Sequence, residues 1–511
     1  MQQSFTKNYI YIYFFQFLSI LLGFASLFVV VPSLSSNPTI YGIYSVCTSI
    51  TVFLSYADLG FLGAGTKYAA EYYAQNKKKE EIEIIGFSHF ILLIVVLLIA
   101  AIFLFLSFNP QLLIKDIEPG ENADVARKLL LILALFSPTV VFQRMVQMIF
   151  NIRLQEYKIQ RVSILGNLLK ISSVLFFFGN GRYDIVGYYL FFNIINVLVL
   201  ITNFIQAKVT LNYSVFEILP FMKFSRPVFE KVKNLAFSTL FATICWVVFY
   251  ELDSIVIGRT LGAEAVAIYA IGLTMIGFVR SIMGVFFTPF AARFNHFVGL
   301  KEEDQLKRFY MTVMQIMFFI VVIPLLSVAI MARPITLSWV GMQYEASIPV
   351  VIMLVLCNIM AFVSYPAGNL LIAKEEVKTL YVFNGIQPLV YWIGVASLIS
   401  IWGVYAFSFF KLAAFLIAGV LYVAYSLRFL DMRLGTYLKM IFVPYIPAIL
   451  STVLILLPCR DLFATDKSTA NLLYNGIIVV VTIAVAFGVS YFTVKPLRNY
   501  VLSILKKKSE V

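Results

Sequence analysis

Charge is what this chain has least of. Of its 511 residues only 13% are Asp, Glu, Lys or Arg, whereas an ordinary soluble domain carries about a quarter. That excludes a water-soluble globular protein. The four cysteines, Cys47, Cys245, Cys357 and Cys459, lie far apart. They form neither a disulfide framework nor a metal spacing, and the first three, inside apolar runs, read as buried small hydrophobes. Histidine is rarer still: His89 begins an apolar run and His296 sits in a polar segment, neither with a metal partner at useful spacing. No Walker-type glycine loop is present, so the chain does not itself hydrolyse ATP. Long hydrophilic insertions are missing as well. The longest polar connections, about Asn109–Asp124 and Ala207–Lys233, are too short to hold a soluble domain.

What the chain has instead is apolar residues, 61% of the total. Runs of about 20 recur along its length, each long enough to cross a hydrocarbon core of roughly 30 Å. The alternating segments of roughly ten residues that mark a β-barrel are not found. The expectation is an all-α polytopic membrane protein with about 14 spans. They fall near 9–31, 40–66, 84–108, 125–150, 160–179, 183–206, 234–258, 264–290, 309–333, 346–372, 378–400, 402–428, 439–458 and 472–494. The run from Tyr9 to Val31 follows a single Lys7 and is too long for a signal-peptide core, so it is taken as the first span.

The formal net charge of +13 does not gather in one basic domain, as nucleic-acid binding would require, but is spread over the connections between spans. With the N-terminus inside, inner segments carry 27 of the 39 Lys and Arg and outer segments 8. By the positive-inside rule both termini are expected in the cytoplasm.

The chain also echoes itself. Gly42-Ile43-Tyr44-Ser45 matches Ala267-Ile268-Tyr269-Ala270, Lys67-Tyr68 matches Arg293-Phe294, and Ile185–Tyr189 resembles Ile401–Tyr405. Six spans separate the copies, an even number, so the halves are expected to be parallel repeats about an axis along the membrane normal. The expected division is an N-lobe (1–206), a cytoplasmic linker (207–233), a C-lobe (234–428), and a C-terminal helix pair with a basic tail (429–511).

Gly42-x-Tyr44-Ser45, Asp58-Leu59-Gly60 and Lys67-x-x-Ala70, with Asp253–Gly258, Leu261-Gly262 and Tyr269 in the second half, resemble the Wzx-type polysaccharide biosynthesis proteins, the O-antigen flippases of the multidrug/oligosaccharidyl-lipid/polysaccharide exporter superfamily. The resemblance runs over the first twelve spans. It implies a two-lobed fold and, by alternating access, translocation of polyprenyl-diphosphate-linked oligosaccharides for O-antigen, capsule or exopolysaccharide synthesis. It further implies the cytoplasmic (inner) membrane as location. The implied partners are membrane lipid and an undecaprenyl-diphosphate-linked glycan, with a polymerase and a chain-length regulator alongside. No catalytic residue and no cofactor is expected, other than a coupling ion, H+ or Na+.

Ionisable residues at bilayer depth are costly and face cavities or partners. Here they are Asp58, Arg144, Lys170, Glu251, Asp253, Arg280 and Lys411. A diphosphate and acidic sugars call for cations, which bind them through charge-assisted hydrogen bonds. Lys170, Arg280 and Lys411 are therefore the candidates for a cationic cavity. Arg144, nearer the inner interface, joins them, though structural pairing suits it better. The plainer reading for all four is pairing with intramembrane acids or snorkelling. Glu251, Asp253 and Asp58 are the candidates for ion coupling, with Asp58 better suited to a structural or gating pair. Pro138, Pro289, Pro324, Pro366 and Pro388 are expected to kink helices, and the many Tyr and Phe read as lipid-facing or interfacial before sugar-stacking.

Two other functions compete. A drug or toxin antiporter of the same superfamily handles cations and calls for an acid-rich cavity, against four cations and three acids here. A membrane glycosyltransferase or polysaccharide polymerase needs catalytic residues on long outer loops, which this chain lacks.

Overall fold

In the computed structural model, the described residues are 28–460 and 466–499, position 502, and scattered positions between 11 and 26. Most of the expected first span, Lys7, the basic tail and the side chain of Cys245 lie outside them. Every regular element among the described residues is helical, and no strand occurs there. Ten helices are long and apolar enough to cross a membrane, or twelve when each of two bent pairs counts as one span. The chain is thus a polytopic helical membrane protein. Of the fourteen expected spans, the seventh is divided into Arg226–Tyr250 and Asp253–Leu261.

The chain folds into two compact units, residues 1–267 and 268–511. The boundary lies inside the Ala263–Gly299 helix, so the seventh span packs with the first unit. The stretch 207–233 contributes to the core of the first unit. Tyr213, Val215 and Ile218 are buried in the same core as Phe61, Phe87 and Phe150 of the first unit.

Within each unit the repeat is visible in the elements. Ile185 opens the 27-residue Ile185–Leu211 helix, and Val404 opens the 27-residue Val404–Leu430 helix. The fourth span of each half is bent: Glu121–Phe136 meets Thr139–Ile152 at 44°, and Met342–Leu356 meets Ala361–Ala373 at 42°. At the first bend Pro138 supplies no backbone N–H and restricts Ser137 before it. Pro324, Pro366 and Pro388 instead lie inside continuous helices.

The second span departs most from expectation. It is not one apolar helix over 40–66 but three pieces, Pro38–Ser49, Val52–Ser55 and Phe61–Ala74. Thr48 Oγ1 donates to Tyr44 O at 2.8 Å, Ser49 Oγ to Val46 O at 2.7 Å and Thr51 Oγ1 to Thr48 O at 2.6 Å. Such back-bonding competes with the backbone ladder and bends helices. The chain then turns through left-handed Leu59 (φ +50) and Gly60 (φ +82), conformations that cost Gly little. Asp58 closes the break, its Oδ2 accepting from Leu62 N at 3.3 Å at the head of the new helix, where a carboxylate is favoured. The charged stretch after it is helical as well, the Lys78–Phe108 helix beginning directly after Lys77.

In the second unit the Glu303–Ile330 helix is the most deeply buried candidate span. The C-terminal pair covers it: Tyr445 OH donates to Gln315 O at 2.6 Å, the Phe318 and Tyr445 rings stack at 5.0 Å, and Phe319 meets Phe487 at 5.6 Å. Cys47 and Cys357 are buried and outside any disulfide, as expected.

Candidate functional site

Inside the first unit lies a cavity of about 560 Å³, within the range of small-ligand pockets. Three helical stretches line it, each with residues spaced so that one face turns inward, together with the bend in the fourth span. The broken second span contributes Tyr44, Thr48, Thr51 and Ser55; the lower half of the bent fourth span contributes Val140, Gln143, Arg144 and Gln147; the Ile185–Leu211 helix contributes Tyr189, Phe192, Asn193 and Asn196. Ser137 and Thr139 stand at the bend itself. The wall is mixed: amides and hydroxyls that can donate and accept, aromatic faces, and one guanidinium.

Behind this wall sits Lys170, 8% exposed, from the Glu156–Phe178 helix. Its Nζ donates to Asn196 Oδ1 at 2.6 Å and lies 4.0 Å from the centre of the Phe192 ring. Both partners are neutral. Among the described residues no carboxylate comes within ion-pair distance of Lys170 or Arg144; Asp58 is the acid whose field reaches Arg144. A buried ammonium held only by an amide oxygen and a π face keeps donors available for an anion. Arg144 stands half-buried on the cavity wall.

The other two cations belong to the second unit. Arg280, half-buried in the Ala263–Gly299 helix, lies near Tyr365. Lys411, 1% exposed, stands 5.0 Å over the Tyr391 ring. Arg144 therefore lines the first unit's cavity with Lys170 behind it, while Arg280 and Lys411 belong to the second unit. Of the acids, Glu251 caps the end of Arg226–Tyr250 and the almost fully buried Asp253 begins Asp253–Leu261. The pair expected on one helix straddles a break, and neither residue is without a partner.

Sequence reasoning missed a second polar cluster. Arg153 Nη2 pairs with Glu81 Oε1 at 2.7 Å, the side chains 8% and 2% exposed. The guanidinium is held between the rings of Tyr73 (4.5 Å) and Tyr213 (4.6 Å), and Nη1 donates to Ile149 O at 3.1 Å. This pair ties the third and fourth spans to the connection that follows the sixth. Burial, followed by the charge of Glu81, pushes the Tyr213 phenol well above its ordinary value, which keeps it neutral. In sequence both charged residues look like solvated loop charges, because their partners are 72 positions apart. The cavity wall did leave a trace: Gln143-Arg144-x-x-Gln147 and Asn193-x-x-Asn196 are polar stripes at helical spacing inside apolar runs.

The chain can be set against known proteins at this point. A family model described as "Polysaccharide biosynthesis protein" matches residues 5–294. Among solved structures, a lipid II flippase, MurJ, in an inward closed conformation is similar over 93% of this chain and 99% of its own, with TM-score 0.62 at 14% identity. An inward-facing multidrug resistance MATE family transporter of the MOP superfamily is similar over 82% of this chain and 94% of its own, with TM-score 0.61 at 12% identity. A MOP superfamily transporter from Pyrococcus furiosus, described as having reversed polarity in its binding pocket, follows at TM-score 0.50 and 14% identity, over 82% and 95%. At such identities the likeness is one of fold. No curated protein matches in sequence.

Proposed function

Because the chain belongs to the polysaccharide biosynthesis protein family, we propose that it is a flippase. Its cargo would be polyprenyl-diphosphate-linked oligosaccharide units, moved from the inner to the outer leaflet of the cytoplasmic membrane for O-antigen, capsule or exopolysaccharide assembly. The observation that carries this reading is Lys170, a buried ammonium with neutral partners behind a cavity that also presents Arg144. Diphosphate oxygens or acidic sugars complement that charge, and the amides, hydroxyls and rings around it suit sugar hydroxyls and faces. Alternating access would carry the head group through the protein while the lipid tail stays in the bilayer, without a catalytic residue or cofactor. Arg280 and Lys411 would serve the same cargo from the second unit. Coupling to a proton or sodium gradient would run through Glu251, Asp253 or Asp58. Both termini are assigned to the cytoplasm, and a polymerase and chain-length regulator would take up the product.

A second reading, a drug or toxin antiporter, has support in the similarity to a multidrug resistance MATE family transporter of the MOP superfamily. Against it stands the cavity lining, which includes no Asp or Glu among the described residues. The discriminating experiment reconstitutes the chain in vesicles and follows two cargoes, a lipid-linked oligosaccharide and an organic cation. The flippase reading expects movement of the first alone, and collapse of an imposed ion gradient should stop it. Export of the cation without oligosaccharide movement would establish the antiporter instead.

A further inference from the structure

The polar side chains around the first unit's cavity are not free to offer either end to a cargo. Thr48 and Thr51 of the broken second span and Thr139 at the bend all line it. Each spends its hydroxyl proton on nearby backbone. Thr48 Oγ1 donates to Tyr44 O at 2.8 Å, Thr51 Oγ1 to Thr48 O at 2.6 Å and Thr139 Oγ1 to Phe136 O at 2.6 Å. What remains on these oxygens is lone pairs, so toward the cavity they accept. Asn193 joins them. Its Nδ2 donates to Tyr189 O at 2.8 Å, and a carbonyl only accepts, so the end left over is Oδ1.

Asn196, about one turn further along the same helix, is held in the opposite sense. An ammonium only donates, so the amide atom that Lys170 Nζ meets at 2.6 Å is necessarily Oδ1. Its Nδ2 has no partner among the described residues, and Asn196 is a half-buried residue of the cavity wall. The charge on one end of the amide also polarises it and strengthens the other end as a donor. Arg144 is a second donor of the lining, and its guanidinium has no acceptor atom. The wall is therefore divided, with acceptors at Thr48, Thr51, Thr139 and Asn193 and donors at Asn196 and Arg144. A phosphate, which offers only acceptors, meets lone pairs on the first set; a sugar ring, whose hydroxyls donate, matches it. We propose that Asn196 is a specificity-determining residue of this cavity. Its amide N–H reads an acceptor-only oxygen, a carboxylate or an acyl carbonyl, on a sugar whose hydroxyls donate to the threonine side. Lys170 is the positioning residue that fixes which end of the amide does the reading. The proposal rests on the flippase reading and narrows its cargo to a glycan that carries an acidic or acylated sugar.

The plainer role for the same hydrogen bond is to tie the Glu156–Phe178 helix to the Ile185–Leu211 helix, and the test separates the two. Asn196→Asp keeps an oxygen against Lys170, now as an ion pair, and replaces the remaining donor with an acceptor. The full chain is reconstituted in phosphatidylethanolamine/phosphatidylglycerol vesicles. Movement is followed for polyprenyl-diphosphate trisaccharides that differ in one sugar, which is N-acetylglucosamine, glucuronic acid or glucose. The wild-type chain should move an acceptor-bearing cargo about tenfold faster than the glucose cargo, since the latter leaves the donor unmet. Preference for the first cargo alone assigns the reading to an acyl carbonyl, and for the second alone to a carboxylate. Asn196→Asp should erase the ratio while melting no lower than the wild-type chain, because the tie to Lys170 is kept. Lys170→Met leaves the amide free to present either end and should erase the ratio as well. A ratio that survives in either variant, correctly inserted, would overturn the proposal and return the bond to a structural tie. So would a wild-type chain that moves the glucose cargo as fast as the other two, which leaves the flippase reading standing. Movement of none of the three by the wild-type chain would overturn both.

Discussion

The second span of each half begins with a related motif, Gly42-Ile43-Tyr44-Ser45 in one and Ala267-Ile268-Tyr269-Ala270 in the other, and the two then fold differently. In the first half the chain from Pro38 to Ala74 is three helices with a left-handed turn between the last two. In the second half the same stretch is one helix of 37 residues, Ala263–Gly299. The difference lies where the repeat fails. Asp58, whose carboxylate accepts from the head of the Phe61–Ala74 helix, corresponds at an offset of 225 to Met283, which cannot cap. A duplicated span has thus been broken once, beside a polar cavity, and left whole once. Interrupted helices at bilayer depth are tolerated where they line such a cavity.

The sharpest way to break this contrast is at the ion pairs beside the span ends. Arg153–Glu81 in the first unit is buried, whereas Lys374–Glu303 in the second is 3.7 Å apart with side chains 29% and 63% exposed. Arg153→Ala leaves a buried carboxylate alone and should lower stability by about 3–5 kcal/mol. Lys374→Ala should cost at most about 1 kcal/mol. Thermal unfolding in detergent measures both, and equal losses would show that the first unit's pair is not the stronger brace.

A smaller effect is expected at the motif itself. A Cβ on Gly42 would lie 1.9 Å from the Ala263 carbonyl oxygen, so the backbone of the Pro38–Ser49 helix meets the chain there directly. Gly42→Ala should destabilise by about 1–3 kcal/mol even though its counterpart in the second half is Ala267. Unchanged melting would mean that this contact gives way freely. The smallest effect is at the break. Asp58→Ala should cost about 1 kcal/mol by loss of the cap, and Asp58→Asn only a fraction of it. If Asn and Ala melted alike, the role of Asp58 would lie in its charge rather than in its hydrogen bond to Leu62.

Much of the fold was legible because apolar runs at span length are local, repeated signals. The starts of both sixth spans, Ile185 and Val404, and the bend at Pro138 follow from a few adjacent residues. The break in the second span was hidden by composition, since Val46–Leu54 reads as apolar while Thr48, Ser49 and Thr51 bond their own backbone. Lys170 was legible as an expensive intramembrane charge, but its partners were not: Asn196 is 26 positions away on the next helix. Arg153 and Glu81 were missed for the same reason. Charge at a span end says nothing about which charge is covered by tyrosines once the chain has packed.

The first-unit cation is the centre of the proposed function, and Lys411 of the second unit, over Tyr391, is its natural control. The direct measurement is surface polysaccharide in cells whose own copy is replaced by Lys170→Ala or Lys411→Ala, with the amount of each protein in the membrane determined in parallel. Loss of a charge-assisted contact should cut the Lys170→Ala signal by about tenfold or more at unchanged protein level, with a smaller reduction for Lys411→Ala. Full polysaccharide from a properly inserted Lys170→Ala protein would contradict the assignment of this cavity to the cargo.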